Sequence, residues 1–217
     1  MTEPVLLDND VVLKACCFGL GSEMISCISV NGTPPAILKV AEYVIRKRVR
    51  RHNRETAERL LCTLLSTIGR IEPDDEELGL AAAFEETAQA QNLELDSGES
   101  QLLAILLRRN HRLMITGDKR AIRAIEEIVG KELGSPRIAC FEQLVTSILR
   151  RSDIVEVREK ICRERSLDRA IAACFACSSP VVSISSVFDG LRSYIDDLRK
   201  DTQHVLLVSE DLSSFVP

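Results

Sequence analysis

Asp8 and Asp118 each follow a short apolar run, Val5-Leu6-Leu7 in one case and Met114-Ile115-Thr116 in the other. Such a run reads as a buried strand of an open α/β sheet, and sheets of this kind bind ligands beyond the carboxyl ends of their strands. If the two strands are parallel, both acids emerge on one edge. Glu42 sits inside a helical pattern and Glu99 opens another, so helices at that edge could add two further carboxylates. Acids gathered without matching bases repel one another, and a hard divalent cation, Mg²⁺ or Mn²⁺, relieves that repulsion through oxygen ligands. A bound ion of this kind lowers the pKa of water and stabilises charge on phosphorus. The chemistry to expect is therefore phosphodiester hydrolysis.

Each acid also has a local structural role open to it. Asp8 can hydrogen-bond its own turn, and Asp10 stands where an N-cap of the first helix would. Glu42 has Arg46 four positions on, a pair worth roughly a few tenths of a kcal/mol. Asp96 and Glu99 have the spacing of a capping box, and Asp118 can cap the helix behind it. Caps and surface pairs are commoner than ligands, so the functional reading rests on the four acids taken together.

The elements that must position them alternate. Val11, Val12, Ala15, Cys16 and Leu20 keep a helical spacing, closed by Gly19 and Gly21. Ile25 to Val30 is β-branched enough for a second strand, ended by Asn31-Gly32. Thr33-Pro34-Pro35 opens a helix whose stripe is Ile37, Leu38, Ala41, Val44, Ile45 and Val49. Asn53 to Ile68 and Leu78 to Ala90 form a helical pair between strand units, with Gly69 and Pro73 as the break. A helix follows Asp96-Ser97-Gly98-Glu99. Arg112 to Thr116 is a strand, Lys119 to Val129 a helix, Arg137 to Phe141 a strand and Glu142 to Arg150 a helix. Strands alternating with helices predict an α/β chain, a three-layer α/β/α sandwich with a mainly parallel central sheet, over residues 1–150. Residues 151–217 read as a mainly helical C-terminal extension, apolar enough to pack on the core or on a partner. Its helices span Ile154 to Arg165, Leu167 to Ala176 and Val187 to Lys200, and its tail at His204 to Val208 is a strand or packing segment.

The 217 residues are 45% apolar and 28% charged, which excludes a disordered chain. No apolar run reaches the roughly 20 residues that span a bilayer, and the N-terminus lacks a basic then apolar leader, so a cytoplasmic protein without a membrane partner is expected. Eight cysteines scattered through strands and helices predict buried thiols rather than disulfides. Cys174 and Cys177, the one CxxC, supply half of a tetrahedral zinc site at most. The net charge of -5 does not mark a polyanion binder, and the charge is not segregated: residues 1–150 carry 19 basic and 22 acidic side chains, and the rest 9 and 11. A nucleic-acid site must be a local patch. Arg46, Lys47, Arg48, Arg50, Arg51 and Arg54 offer one, widened by Arg108, Arg109, Arg112, Lys119 and Arg120. With aromatics at 4%, extensive base stacking is not expected. His52, His111 and His204 have no triad-like setting.

Leu6-Leu7-Asp8-Asn9-Asp10, Glu42, Leu95-Asp96-Ser97-Gly98-Glu99-Ser100 and Met114-Ile115-Thr116-Gly117-Asp118 resemble, in order, the successive acidic motifs of PIN-domain nucleases, over residues 4 to 150. The resemblance implies a metal-dependent ribonuclease with Asp8, Glu42, Glu99 and Asp118 as catalytic metal ligands for Mg²⁺ or Mn²⁺, directly or through water. Asp10, Asp96 and Thr116 would support them, RNA would be the substrate, and a toxin-antitoxin or defence setting is the implied context. Glu99 stands where many such toxins have Asp, and the extension is longer than a minimal toxin requires; it could hold a protein inhibitor or a second copy. Asp8-Asn9-Asp10-Val11 also resembles the DxD pair of haloacid dehalogenase-type phosphatases, in which Asp8 would be the nucleophile. A non-catalytic PIN-like interaction module is the third reading.

Overall fold

A computed structural model describes residues 3–51 and 55–215. β1 (Leu6–Leu7) leads directly into α1 (Asn9–Phe18), and α2 (Gly21–Ile28) comes after a turn at Gly19, whose φ of 71° lies in the left-handed region that glycine favours. β2 (Ala36–Leu38), α3 (Ala41–Arg51), α4 (Glu55–Thr67) and β3 (Gly69–Ile71) come next. Beyond them lie α5 (Asp75–Ala90), α6 (Ser97–Arg108), β4 (Met114–Thr116) and α7 (Lys119–Val129). β5 (Ile138–Cys140) and α8 (Phe141–Leu149) precede α9 (Ile154–Arg163), α10 (Arg169–Cys174) and α11 (Ile184–Lys200).

The five strands form one all-parallel sheet in the order β3-β2-β1-β4-β5. Leu6 pairs with Ala36 on one side and with Met114 on the other, and Leu7 pairs with Ile115. A central parallel strand is covered on both faces, which is why β1, β2, β4 and β5 are buried at every position. Helices α1 to α4 pack against one another, while α5 packs on α6 and α7. The arrangement is compatible with a three-layer α/β/α fold. Among the described residues, no helix is long and apolar enough to cross a membrane.

Four local expectations are corrected. Ile25 to Ile28 belongs to α2 rather than to a strand: Met24, Cys27 and Ile28 are buried at helical spacing, so the period of burial overrides β-branching. The strand comes later, where the sequence predicts a helix. Ala36 to Leu38 pairs with β1, Ala36 donating to the Val5 carbonyl at 2.8 Å, and the helical stripe begins at Ala41 and continues through Ile45 and Val49. The expected break at Gly69 is the edge strand β3, so the helices on either side of it are not a simple pair. Asp8, not Asp10, caps α1, accepting from the Asp10 N–H at 3.3 Å.

The cysteines also depart from expectation, since Cys162 and Cys177 form a disulfide. Ala176 adopts a left-handed φ of 46°, and the N–H groups of Ala176 and Cys177 bond back to the carbonyls of Ala173 and Ala172. This helix-closing turn carries Cys177 off α10 toward α9. Cys174 lies inside α10 and remains a thiol, so the CxxC does not act as a pair.

Residues after Arg150 share one continuous apolar cluster with the sheet, through Val157, Ile161, Ile171, Leu191 and Leu206 among others. The tail extends the sheet beyond β5. Leu206 bridges Ile138 in parallel, Ile138 donates to the Val205 carbonyl at 2.9 Å, and Leu207 donates to the Ile138 carbonyl at 2.8 Å. Gln143 and Ser147 of α8 secure the tail further along, Gln143 donating to the Leu207 carbonyl and Ser147 accepting from the Leu212 N–H. Because Leu206 is buried against β5, Leu206→Ala is expected to lower global stability by about 2–5 kcal/mol, measured by urea unfolding. A tail that peels away by itself would leave the main transition where it is.

Candidate active site

Three helices begin at the carboxyl edge of the sheet, and each is capped by an acid. Asp8 leaves β1 and caps α1, Asp96 caps α6, and Asp118 follows β4 and caps α7. An N-cap carboxylate satisfies backbone N–H groups that the first helical turn leaves without partners, a gain of about 1 kcal/mol each. A strand that turns straight into a helix therefore delivers an acid to this edge for local reasons. Here the three edges coincide.

Asp8, Asn9, Asp10, Asp96, Glu99, Gly117 and Asp118 line one open cavity of about 400 Å³, with Arg48 and Arg120 at its margin. Asp8 and Glu99 are buried, at 6% and 4% exposure. Glu99 and Asp96 form a reciprocal capping box: Glu99 N–H donates to Asp96 Oδ1 at 2.8 Å, and Asp96 N–H donates to Glu99 Oε2 at 3.2 Å. The other Glu99 oxygen accepts from the Thr116 hydroxyl at 3.3 Å, and Thr116 Oγ1 in turn accepts from the Asp118 N–H at 3.1 Å. Thr116 thus links two of the acids.

Burial pushes the Asp8 carboxyl up to about 6, with the charges of Asp96 and Asp10 adding to it and the backbone N–H groups of Asn9 and Asp10 opposing. Burial pushes Glu99 up to about 9, reinforced by the charges of Asp8, Asp96 and Asp118. Asp118 moves the other way: burial would raise it, but Arg120 outweighs burial and holds it below the usual carboxylate range. Arg120 reaches both Asp118 oxygens, through Nε at 3.2 Å and a terminal nitrogen at 2.9 Å, and also pairs with Glu94.

Not every expected residue comes to this place. Glu42 does not line the cavity; Arg46 and Arg70 hold it from either side at 2.8 and 2.9 Å, which is the local pairing its spacing allowed, extended by a residue of β3. Of the basic stretch, Arg48 lines the cavity, Arg46 is engaged by Glu42 and Lys47 is exposed. The side chains of Arg50 and Arg51, and all of Arg54 and His52, lie outside the described residues. Arg108 and Arg109 pair with Glu76 and Glu77 at the far end of α6. Arg112 precedes β4 at the opposite edge, and Lys119 pairs with Glu142. His111 is buried against the Pro4 carbonyl and His204 pairs with Glu126.

No protein-family model matches the chain, and no curated protein or solved structure matches it. The site must be judged on its own geometry. Its donors are carboxylate oxygens under mutual repulsion, a donor chemistry that suits Mg²⁺ or Mn²⁺. Among the described residues, however, no group of three or more His, Cys, Asp or Glu side chains is arranged to hold a metal ion. Local partners explain this: the capping box orients Asp96 and Glu99, and Arg120 turns Asp118 toward itself.

Residues that sequence reasoning did not single out are Asn9, Gly117 and Lys14. A Cβ at Gly117 would meet the Asp10 carboxylate, so a larger residue there would require that side chain to move. Lys14, four residues after Asp10 within an apolar helix, carried a readable signal, since a lone charge on a buried stripe demands a partner.

The raised Glu99 carboxyl has a consequence for stability. Its proton is retained in the fold at neutral pH and lost in the unfolded chain. The stability this contributes is complete below the ordinary value of 4.5 and is lost as pH rises toward 9. Glu99→Gln keeps the capping acceptor and removes the titration. In chelator, the variant is expected to be more stable than the parent by on the order of 3 kcal/mol at pH 7, with the two equal below pH 4.5. Urea denaturation across this range checks it; parallel pH profiles for both proteins would contradict the assignment.

Proposed function

We propose that this chain is a metal-dependent nuclease that hydrolyses RNA phosphodiester bonds. The observation that carries the reading is the convergence of Asp8, Asp96, Glu99 and Asp118 on one open cavity with Arg48 and Arg120 at its margin. A row of carboxylates beside two guanidinium groups suits a phosphodiester: the cations receive phosphate oxygens, and the acids handle water and protons. Arg48 and Arg120 would hold and orient the backbone. Asp8, poised near 6, is ionised for much of the neutral range and can accept a proton from an attacking water. Glu99, protonated at neutral pH, can give one to a leaving oxygen. Mg²⁺ or Mn²⁺ at this edge would take its oxygen donors from Asp8, Asp96 and Asp118 once Arg120 releases Asp118, with Glu99 left as the proton donor, and would supply charge neutralisation and a lowered water pKa. Glu42 is not part of that set.

The ion pairs around the cavity favour a second reading, a PIN-like module without catalysis. Arg120 and Lys14 already partner Asp118 and Asp10, so part of the charge is balanced internally. Cleavage of single-stranded RNA and DNA with Mn²⁺ separates the two. The nuclease reading expects RNA cleavage that chelator abolishes and that Asp8→Asn or Asp118→Asn lowers by about 100-fold or more. It also expects Arg120→Gln to tighten Mn²⁺ binding in calorimetry while raising KM for RNA, because Arg120 competes for Asp118 yet grips phosphate. No cleavage and no heat of Mn²⁺ binding in either protein would leave the module reading standing.

A further inference from the structure

Lys14 is nearly buried in α1, its side chain 11% exposed, and it bridges two carboxylates. Its ammonium lies 2.7 Å from Asp10 Oδ2 and 2.7 Å from Asp168 Oδ2. The Phe141 ring centroid is 5.2 Å away, so the cation is enclosed on an apolar side as well. Asp10 faces the acidic cavity. Asp168 belongs to the C-terminal segment, where it caps α10: its other oxygen accepts from the Ile171 N–H at 3.0 Å.

Asp168 is thereby fixed at one oxygen by a helix end and at the other by Lys14. Gly117 leaves room for this arrangement, because a Cβ at that position would meet both the Asp10 carboxylate and, at 3.0 Å, the Lys14 ammonium. A second cation behind the cavity is held in a similar way. Lys119, adjacent to Asp118, pairs with Glu142 at 2.6 Å and lies 4.3 Å from the ring centroid of Tyr194 in α11.

We propose that Lys14 and Asp168 are positioning residues of the acidic site, through which the C-terminal segment sets the direction of the Asp10 carboxylate at the cavity rim. For its catalytic consequence the proposal rests on the nuclease reading; for the contact itself it does not. Two anions sharing one cation leave Asp10 only half neutralised and free to act on the cavity. Without the Asp168 charge, Lys14 is drawn to Asp10 alone and turns it inward. The segment after Arg150 is then a working part of the site.

The test uses the full chain with Asp168→Asn, which keeps an oxygen for the α10 cap, and Asp168→Glu, which keeps the charge. In metal-free protein, Asp168→Asn is expected to shift the Asp10 carboxyl carbon and Lys14 Nζ resonances. With Mn²⁺ and RNA it is expected to lower kcat about 10-fold at unchanged KM, with Asp168→Glu restoring most of the loss. An unmoved Asp10 resonance, a kcat equal to the parent's, or a folded Asp168→Glu that restores nothing would overturn the proposal. If the parent cleaves no RNA, the nuclease reading fails, and the Asp10 resonance alone decides whether Asp168 orients it. If Asp168→Asn does not fold, Asp168→Ser, which keeps a capping oxygen without the charge, is read in its place, and an unchanged Asp10 resonance there is equally fatal.

Discussion

The register of β1 against β4 is the constraint on which the site depends. Leu6 faces Met114, Leu7 faces Ile115, and the Asp8 N–H donates to the Ile115 carbonyl at 3.0 Å. Asp8 and Thr116 therefore leave neighbouring strands at the same height, and Asp118 comes two residues later. A slip of one residue would turn every side chain of the strand to the other face, which a sheet buried on both sides does not accommodate. α6 packs on both β1 and β4, so its first turn, with Asp96 and Glu99, meets the same edge. Apolar packing of two very short strands thus decides where the carboxylates meet.

Bringing them together carries an electrostatic cost that the fold distributes over several devices. Three helix N-termini point their partial positive charge at this edge, which favours carboxylates there. Protonation relieves Glu99, the most deeply perturbed of the acids, and Arg120 and Lys14 relieve Asp118 and Asp10. Capping a helix and lining the cavity are consequently not alternatives for Asp8, Asp96 and Asp118. In a parallel sheet the residue that caps the next helix is the residue that lines the crevice. The same geometry serves both.

This explains which parts are legible in the sequence and which are not. β1, β4, β5 and the helices behind them can be read because an apolar run leading to an acid and a helical stripe is a local pattern, and so can Asp8, Asp96, Glu99 and Asp118. The region from Ile25 to Ile71 defeats that reading at three elements. There, a helix ending in the strand-like run Ile25 to Ile28 competes with strands of three residues each, too short for alternation to appear, and only pairing within the sheet distinguishes them. Order along the chain groups Glu42 with the other acids, but its partner Arg70 comes from β3, an element the pattern hides. The link from Asp168 to Lys14 lies between distant segments. No local pattern can show such a contact, and the same holds for the pairing of Cys162 with Cys177 across a left-handed turn.

The basic side of the site is smaller than its run of arginines implies. Arg46 is consumed by Glu42, Arg108 and Arg109 lie at the opposite end of α6, and Lys119 is turned to Glu142. Among the described residues, Arg48 and Arg120 are the cations that reach the cavity. Each phosphate neutralised by a protein cation adds a fixed increment to the salt dependence of binding, so two such cations give a short grip and a shallow salt slope. A chain of net charge -5 gains little long-range attraction to a polyanion. On the nuclease reading, affinity for a strand would rest on Arg48 and Arg120 at the cavity, both exposed and therefore screened by salt. On that reading, discrimination among strands would lie with the cavity and its rim, where Asp10, Arg48 and Arg120 are placed.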